Sequence, residues 1–149
     1  MTIKPFLKLA ATAVLLSAVG TAKATSISLT PQVSNAAVGD IVAFEIIADF
    51  RDVILLGGPF DVHFDPDALG FVSWTASFPG DPGFSRDPDV LNGLLEGFAF
   101  GDFNGISGLW NLGVLEFEVL AAGTSKITPS DSSSLAGPFI DAITFQPIN

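Results

Sequence analysis

Glycine and proline interrupt this sequence so often that its larger part cannot form a long helix. The chain has 15 Gly and 10 Pro among 149 residues, and most of them lie beyond residue 30. The runs between them alternate apolar and polar residues, as half-buried β-strands do. In the run 41–49, for example, Val42, Phe44 and Ile46 share one face, and Glu45 lies on the other. The pattern predicts eight or nine short strands joined by turns, and therefore an all-β sandwich.

The first 24 residues differ in character and are typical of a cleavable signal peptide. Lys4 and Lys8 provide a basic start, residues 9–19 are apolar, and Ala22-Lys23-Ala24 has the small-x-small pattern of a cleavage site. The apolar run is too short for a membrane-spanning helix of about 20 residues. We therefore expect one domain, residues 25–149, that is exported to the extracellular space or the periplasm without insertion into the membrane.

The charge of the exported part excludes several classes of partner. Beyond the leader, three basic residues stand against sixteen acidic ones, a formal net charge of −13. Such a chain repels phosphate backbones and lacks the basic patch that binding to nucleic acid or anionic membranes requires. It also has no cysteine, which excludes thiol catalysis, iron–sulfur clusters and zinc–thiolate sites.

The stretch "FDVHFDPDAL", residues 60–69, contains the single histidine and three aspartates. Alternation places its apolar side chains on the core face and Asp61 and His63 on the outer face. Asp65 is expected to cap a single helical turn that follows the strand. Two ligands do not make a zinc site, which normally needs three or four. We predict a structural role for the Asp61–His63 pair, with a place in an interface or ligand site as the alternative.

A long loop, residues 78–93, contains Asp81, Asp87 and Asp89 close together. Hard cations such as calcium prefer oxygen ligands, although this spacing matches no EF-hand loop. A structural calcium ion and a plain acidic loop are therefore alternative interpretations. No other cofactor is predicted.

Four aromatic residues lie at or beyond the predicted strand ends and could stack on sugar rings: Trp74, Phe78, Phe84 and Trp110. The competing interpretation is core packing. The chain has fourteen Phe, two Trp and no Tyr, whereas wet binding faces favour Tyr.

Three stretches together resemble the cohesin domain. A turn leading into a long strand is found in "VSNAAVGDIVAFEI" (33–46), and a strand ending in aromatic-Asp-Pro-x-x-Leu in "GPFDVHFDPDALGFVS" (58–73). A late strand and turn follow in "GVLEFEVLAAGTSKI" (113–127). The resemblance implies a jelly-roll β-sandwich of about nine strands, related in fold to carbohydrate-binding modules. It also implies a non-catalytic module of the kind that binds dockerins through one sheet face, or that occurs on other secreted bacterial proteins, including those with a PEP-CTERM signal.

We therefore expect a secreted, non-catalytic cohesin-like module that mediates protein–protein interaction or adhesion at or outside the cell surface. Its partner would be a dockerin-like or other extracellular protein. The alternative is a carbohydrate-binding module that recognises polysaccharide through the exposed aromatics. Enzymatic activity is not predicted, because the chain has no G-x-S-x-G elbow and His63 would have to converge with carboxylates in a cleft.

Overall fold

The computed structural model of the chain describes residues 6–11, 14–16, 25–32, 35–132 and 139–148. All its regular elements are β-strands, so the all-β prediction is confirmed. They are β1 (Phe6–Ala11), β2 (Val14–Leu16), β3 (Thr25–Pro31), β4 (Asn35–Ala37), β5 (Ile41–His63), β6 (Leu69–Ala76), β7 (Asp89–Leu91), β8 (Leu94–Val119), β9 (Gly123–Asp131), β10 (Phe139–Asp141) and β11 (Pro147–Ile148). Within the described ranges, no helix is long and apolar enough to span a membrane.

Two long antiparallel strands, β5 and β8, run through the whole domain. Their pairing extends from Ile41 opposite Glu118 to His63 opposite Leu94. The first half of β5 also pairs with β3, and the second half of β8 with β6. We call this layer, β3–β5–β8–β6, the first sheet. The other halves pair with β9 and β7, so the order β9–β5–β8–β7 forms the second sheet.

The two sheets are joined where β5 bends, near Gly57. The register between β5 and β8 shifts on both sides of Leu55, and Gly57 has a φ of 134°. A Cβ at this position would lie 2.1 Å from the carbonyl oxygen of Phe100, so only glycine allows the two backbones to approach this closely. Gly57-Gly58-Pro59 interrupts the strand pattern of residues 53–64 and predicts a kink or bulge there, which this geometry confirms.

Aromatic side chains from both sheets fill the space between them. In the first sheet, Phe44 and Phe117 meet edge to face at 6.0 Å between ring centroids. In the second sheet, Phe60 stacks on Phe98 at 4.8 Å. Pairs of this kind contribute about 0.5–1.5 kcal/mol beyond the burial of their area. The core face therefore follows the predicted alternation.

Two local predictions about strand ends have different outcomes. The amide of Asp67 donates to Oδ1 of Asp65 at 3.0 Å, which confirms the capped turn. The sequence also predicts a final strand over residues 140–145, but the observed strand is shorter, because β10 ends at Asp141. The carboxylate of Asp141 accepts the amides of Ile143 and Thr144, each at 2.8 Å, and the chain turns there.

The stretch "NGISGL", residues 104–109, has the composition of a turn and predicts one. This prediction is wrong, since β8 continues through the stretch. The register against β5 shifts here, with Ile106 opposite Leu55 and Gly108 opposite Phe50. Pairing with β5 keeps this Gly-rich stretch in the sheet as an irregular, bulged segment.

Strands β1 and β2 lie inside the stretch predicted as a signal peptide. β1 runs parallel to β9, with Leu7 opposite Gly123, and antiparallel to β4. β2 pairs with β3, with Leu15 opposite Ser26. These pairings do not test whether the leader is cleaved, and the division after residue 24 stays a prediction.

Candidate binding site

Asp61 and His63 do not form the outward pair that alternation predicts. His63 is exposed, and its Nε2 lies 3.0 Å from Oγ of Ser130 on β9. Asp61 is only 1% exposed and accepts the amide of Gly97 at 2.7 Å. The sequence-based placement of Asp61 at the surface is therefore wrong.

The burial of Asp61 follows from a bulge in β8. Between the pairs Phe60–Phe98 and Val62–Leu95, two residues of β8 lie opposite one residue of β5. Gly97, with a φ of 76°, turns its amide towards the Asp61 carboxylate at this bulge. Asp61 is therefore a structural acceptor rather than a surface ligand.

The contact between His63 and Ser130 raises the question of a catalytic serine. A serine nucleophile needs a histidine that is itself oriented by a third residue, and donors for the developing oxyanion. Within the described residues, no hydrogen bond to Nδ1 of His63 is present. His63 lies on the open surface of the second sheet.

Two of the three loop aspartates have partners of their own, and Asp87 is exposed. Oδ1 of Asp81 accepts the amide of Gly83 at 2.7 Å, and Oδ2 of Asp89 accepts a hydrogen bond from Arg86 at 2.6 Å. In the described part of the chain, no group of three or more His, Asp or Glu side chains is arranged to hold a metal ion. The calcium site therefore stays a prediction, and the loop aspartates do not form a ligand set for it in the described part of the chain.

Three of the four candidate aromatics meet at one rim of the sandwich. Trp74 contacts Phe98 edge to face at 5.1 Å. Phe78 contacts both Phe100, at 5.8 Å, and Trp110, at 5.2 Å, again edge to face. All three are half-buried. Rings at such steep angles to one another do not form the flat row on which a sugar chain stacks.

The fourth candidate, Phe84, packs against Phe103 at 4.4 Å between ring centroids. Phe103 is exposed, so this pair reaches the solvent. The indole Nε1 of Trp110 donates to the carbonyl of Ser107 at 2.8 Å, which fixes that ring at the rim.

A partly open cavity of about 160 Å³ lies at this rim, in the seam between the two sheets. We call it the rim cavity. Its aromatic lining consists of Phe60, Trp74, Phe78, Phe98 and Phe100, and its remaining wall of Ala76, Ser85, Arg86, Asp87, Ala99 and Leu112. Sequence reasoning marked two of its aromatics and Asp87, but it did not find the cavity, which depends on contacts between distant strands.

The loop that covers the rim cavity is fixed by backbone hydrogen bonds. The amide of Asp81 donates to the carbonyl of Gly101 at 2.9 Å, and the amide of Phe84 donates to Asp81 at the same distance. Arg86 and Ala99 exchange two backbone hydrogen bonds, at 3.0 and 3.2 Å. The loop is therefore attached to β8 at both ends of the cavity.

The outer faces of the two sheets differ in chemistry. On the first sheet, Glu45, Glu116 and Glu118 face outward. On the second sheet, a row across the strands joins Leu91, Leu94, His63 and Thr128. Leu91 is 47% exposed. The second sheet thus carries an apolar row next to an acidic pair, Asp89 opposite Glu96.

Comparison with known proteins identifies the architecture. No protein-family model matches the chain, and no curated protein matches it. Among solved structures, the sixth cohesin of Acetivibrio cellulolyticus scaffoldin B, in complex with a mutant Cel5 dockerin, is 19% identical with a TM-score of 0.58. The match covers 82% of this chain and 90% of that cohesin.

A type II cohesin domain from the cellulosome of Acetivibrio cellulolyticus is 21% identical, also with a TM-score of 0.58. That match covers 84% of this chain and 92% of the type II domain. The chain has the fold of a cohesin domain. The resemblance inferred from three sequence stretches is therefore confirmed at the level of the fold. The β-sandwich is confirmed with it, and the described residues from Thr25 onward form nine strands, β3 to β11, as predicted.

Proposed function

We propose that this chain is a secreted, non-catalytic cohesin-like module that binds a protein partner at or outside the cell surface. The observation that carries the proposal is the match to 90% of a cohesin that was solved in complex with a dockerin. A likeness of fold alone does not name the partner, so the proposal is limited to a dockerin-like or other extracellular protein.

The outer face of the second sheet is the proposed contact surface. The cores of protein interfaces are depleted in charged residues, and an open β-sheet face can bury a flat area against a partner. The row that contains Leu91, Leu94 and His63 has no carboxylate, and the acidic pair Asp89 and Glu96 forms the neighbouring row. The absence of a third group orienting His63, within the described residues, supports a module that binds rather than catalyses.

The test is a pull-down from the native secretome with the immobilised domain, residues 25–149. We expect capture of a discrete protein, and a loss of at least about tenfold in affinity for the double variant Leu91→Asp and Leu94→Asp, because buried unpaired charge is strongly unfavourable at an interface. The matched control is Glu45→Ala on the first sheet, which should leave capture unchanged. Equal capture by both variants would exclude the second sheet as the contact surface.

Polysaccharide binding is the alternative that the sequence raised, and the half-buried rings at the rim do not favour it, because they meet edge to face. Affinity electrophoresis against a panel of polysaccharides tests this alternative. Retention on a glycan that Trp110→Ala abolishes, together with no captured protein, would replace the protein-binding proposal.

A further inference from the structure

We propose that the rim cavity is a socket for one apolar side chain of the protein partner, of the size of a phenyl or isobutyl group, that is carried beside a basic residue. That the apolar group belongs to a protein partner rests on the protein-binding function proposed above. The socket itself rests on the size, lining and charge of the cavity.

The size of the rim cavity sets the size of the occupant. Protein interiors are close-packed and contain few voids larger than a water molecule. The rim cavity, at about 160 Å³, is well above that size. An apolar cavity of about 150 Å³ is large enough to bind benzene. One ring or branched aliphatic group therefore fits, whereas a disaccharide does not.

The lining of the rim cavity sets the chemistry of the occupant. Five aromatic side chains and Leu112 form most of its wall, so an apolar group that enters it exchanges water for dispersion contacts. Trp74 and Phe78 already contact Phe98 and Phe100 edge to face. These contacts hold the rings apart, and the covering loop is attached to β8 through Arg86 and Asp81. A socket formed in advance lowers the ordering cost of binding.

Charge at the mouth of the cavity favours a cationic neighbour for the apolar group. Arg86 lines the mouth, but its guanidinium is bonded to Asp89 at 2.6 Å. The neighbouring Asp87 is exposed and, among the described residues, makes no hydrogen bond or ion pair. It is thus free to pair with a basic residue of the partner. The excess of acidic residues in the chain acts in the same direction.

The first experiment measures the socket without the partner. The full chain is titrated with benzylammonium, benzyl alcohol and benzoate, which share a ring and differ in charge, while NMR follows the indole resonance of Trp74. We expect saturable shifts, with benzylammonium about twofold to fivefold tighter than benzyl alcohol and benzoate the weakest, since an exposed ion pair contributes little. Asp87→Asn should make the first two ligands equal, and the control Asp131→Asn should not.

A cavity-filling variant tests the location. Ala76→Leu places a larger side chain in the cavity wall and should weaken benzylammonium binding more than tenfold without lowering the melting temperature. Ser77→Leu adds the same side chain at the next position, outside the lining, and should leave binding unchanged. An absence of saturable shifts, or binding retained by Ala76→Leu, overturns the socket.

The same variant separates the two proposals. If Ala76→Leu also weakens capture of the partner, the socket serves that partner, as proposed. If benzylammonium binding is lost while capture is unchanged, the cavity takes a free small molecule instead, and the inference is overturned while the protein-binding function stands. If benzylammonium binds the wild-type chain but no protein is captured, the occupant is not a side chain of a protein partner. The proposed function is then overturned as well.

Discussion

Asp61 stabilises a bulge of β8 from the inside of the fold. Its carboxylate accepts the Gly97 amide at 2.7 Å and is almost completely buried. A buried donor that loses its acceptor pays the full cost of desolvation. The residue type that suggested a metal ligand in the sequence is therefore explained by the backbone that it satisfies.

We expect Asp61→Ala to lower the free energy of unfolding by about 1–3 kcal/mol, because the Gly97 amide is left without its acceptor. Urea denaturation measures the change. Asp61→Asn retains an acceptor oxygen and should cost less than the alanine variant. Glu118→Ala, at an exposed position of the same strand pair, should change stability little, and an equal loss in both alanine variants would contradict this role for Asp61.

Asp49 and Arg51 provide a residue-scale prediction about pH. Hydrogen bonds from the Arg51 side chain, and then from its amide, lower the pKa of Asp49 below its ordinary value of 3.8. Because the folded pKa is lowered, the stabilisation is present above the unfolded value and is lost as the pH falls through the folded one. Arg51 is exposed and Asp49 is only half-buried, so we expect a small effect on unfolding.

The direct measurement is an NMR titration of the Asp49 carboxyl below about pH 5. We expect its pKa to rise towards the ordinary value in Arg51→Gln and to stay low in the control Arg86→Gln. An unchanged pKa of Asp49 in Arg51→Gln would show that the hydrogen bonds seen here do not persist in solution.

At the scale of the elements, the two long strands carry the architecture. β5 and β8 each take part in both sheets, and their bends, rather than loops, join the layers. A bend inside a paired strand requires close backbone approach, which Gly57 provides. The Gly-rich stretch at residues 104–109 within β8 consequently marks an irregularity of strand pairing and not a strand end.

Gly57→Ala should destabilise the domain more than Gly39→Ala. Both positions have positive φ, at 134° and 89°, so both variants carry backbone strain of about 1–3 kcal/mol. Only Gly57 would also bring a Cβ to 2.1 Å from the Phe100 carbonyl, whereas Gly39 has nothing within 4 Å. Thermal unfolding of the two variants compares them, and an equal decrease in melting temperature would show that the close approach at Gly57 is not limiting.

At the scale of the whole molecule, the stretch predicted as a signal peptide occupies strand edges. β1 pairs with β9, and β2 pairs with β3. Its removal would leave these edges unpaired, and exposed edges are positions where further strands can add.

We expect the chain exported by a bacterial host to begin at Thr25, as intact mass measures. Hydrogen exchange then compares residues 25–149 with the full chain. Amides on the edge of β3 that faces β2 should exchange faster in the shorter chain, while those of β5 should stay protected. A full-length mass after export would contradict the leader prediction, and unchanged exchange would contradict the pairing of β2 with β3.

The sequence by itself determined the features that depend on neighbouring residues. The alternation around Phe44 and Phe60 predicted the strands and their core face, Asp65 predicted the capped turn, and three stretches predicted the cohesin fold. These are local signals, because side-chain period and turn chemistry act over a few residues.

Only the tertiary structure decided the features that depend on pairing between distant strands. The bulge at Gly97 buried Asp61, pairing with β5 kept residues 104–109 in the sheet, and the meeting of Trp74 with Phe98 formed one wall of the rim cavity. The physical reason is that strand register, and with it the surroundings of each side chain, is set by partners far away in the sequence. Period predicts which face of a regular strand a side chain occupies, and the partner strand determines where a bulge interrupts that period and what the side chain contacts.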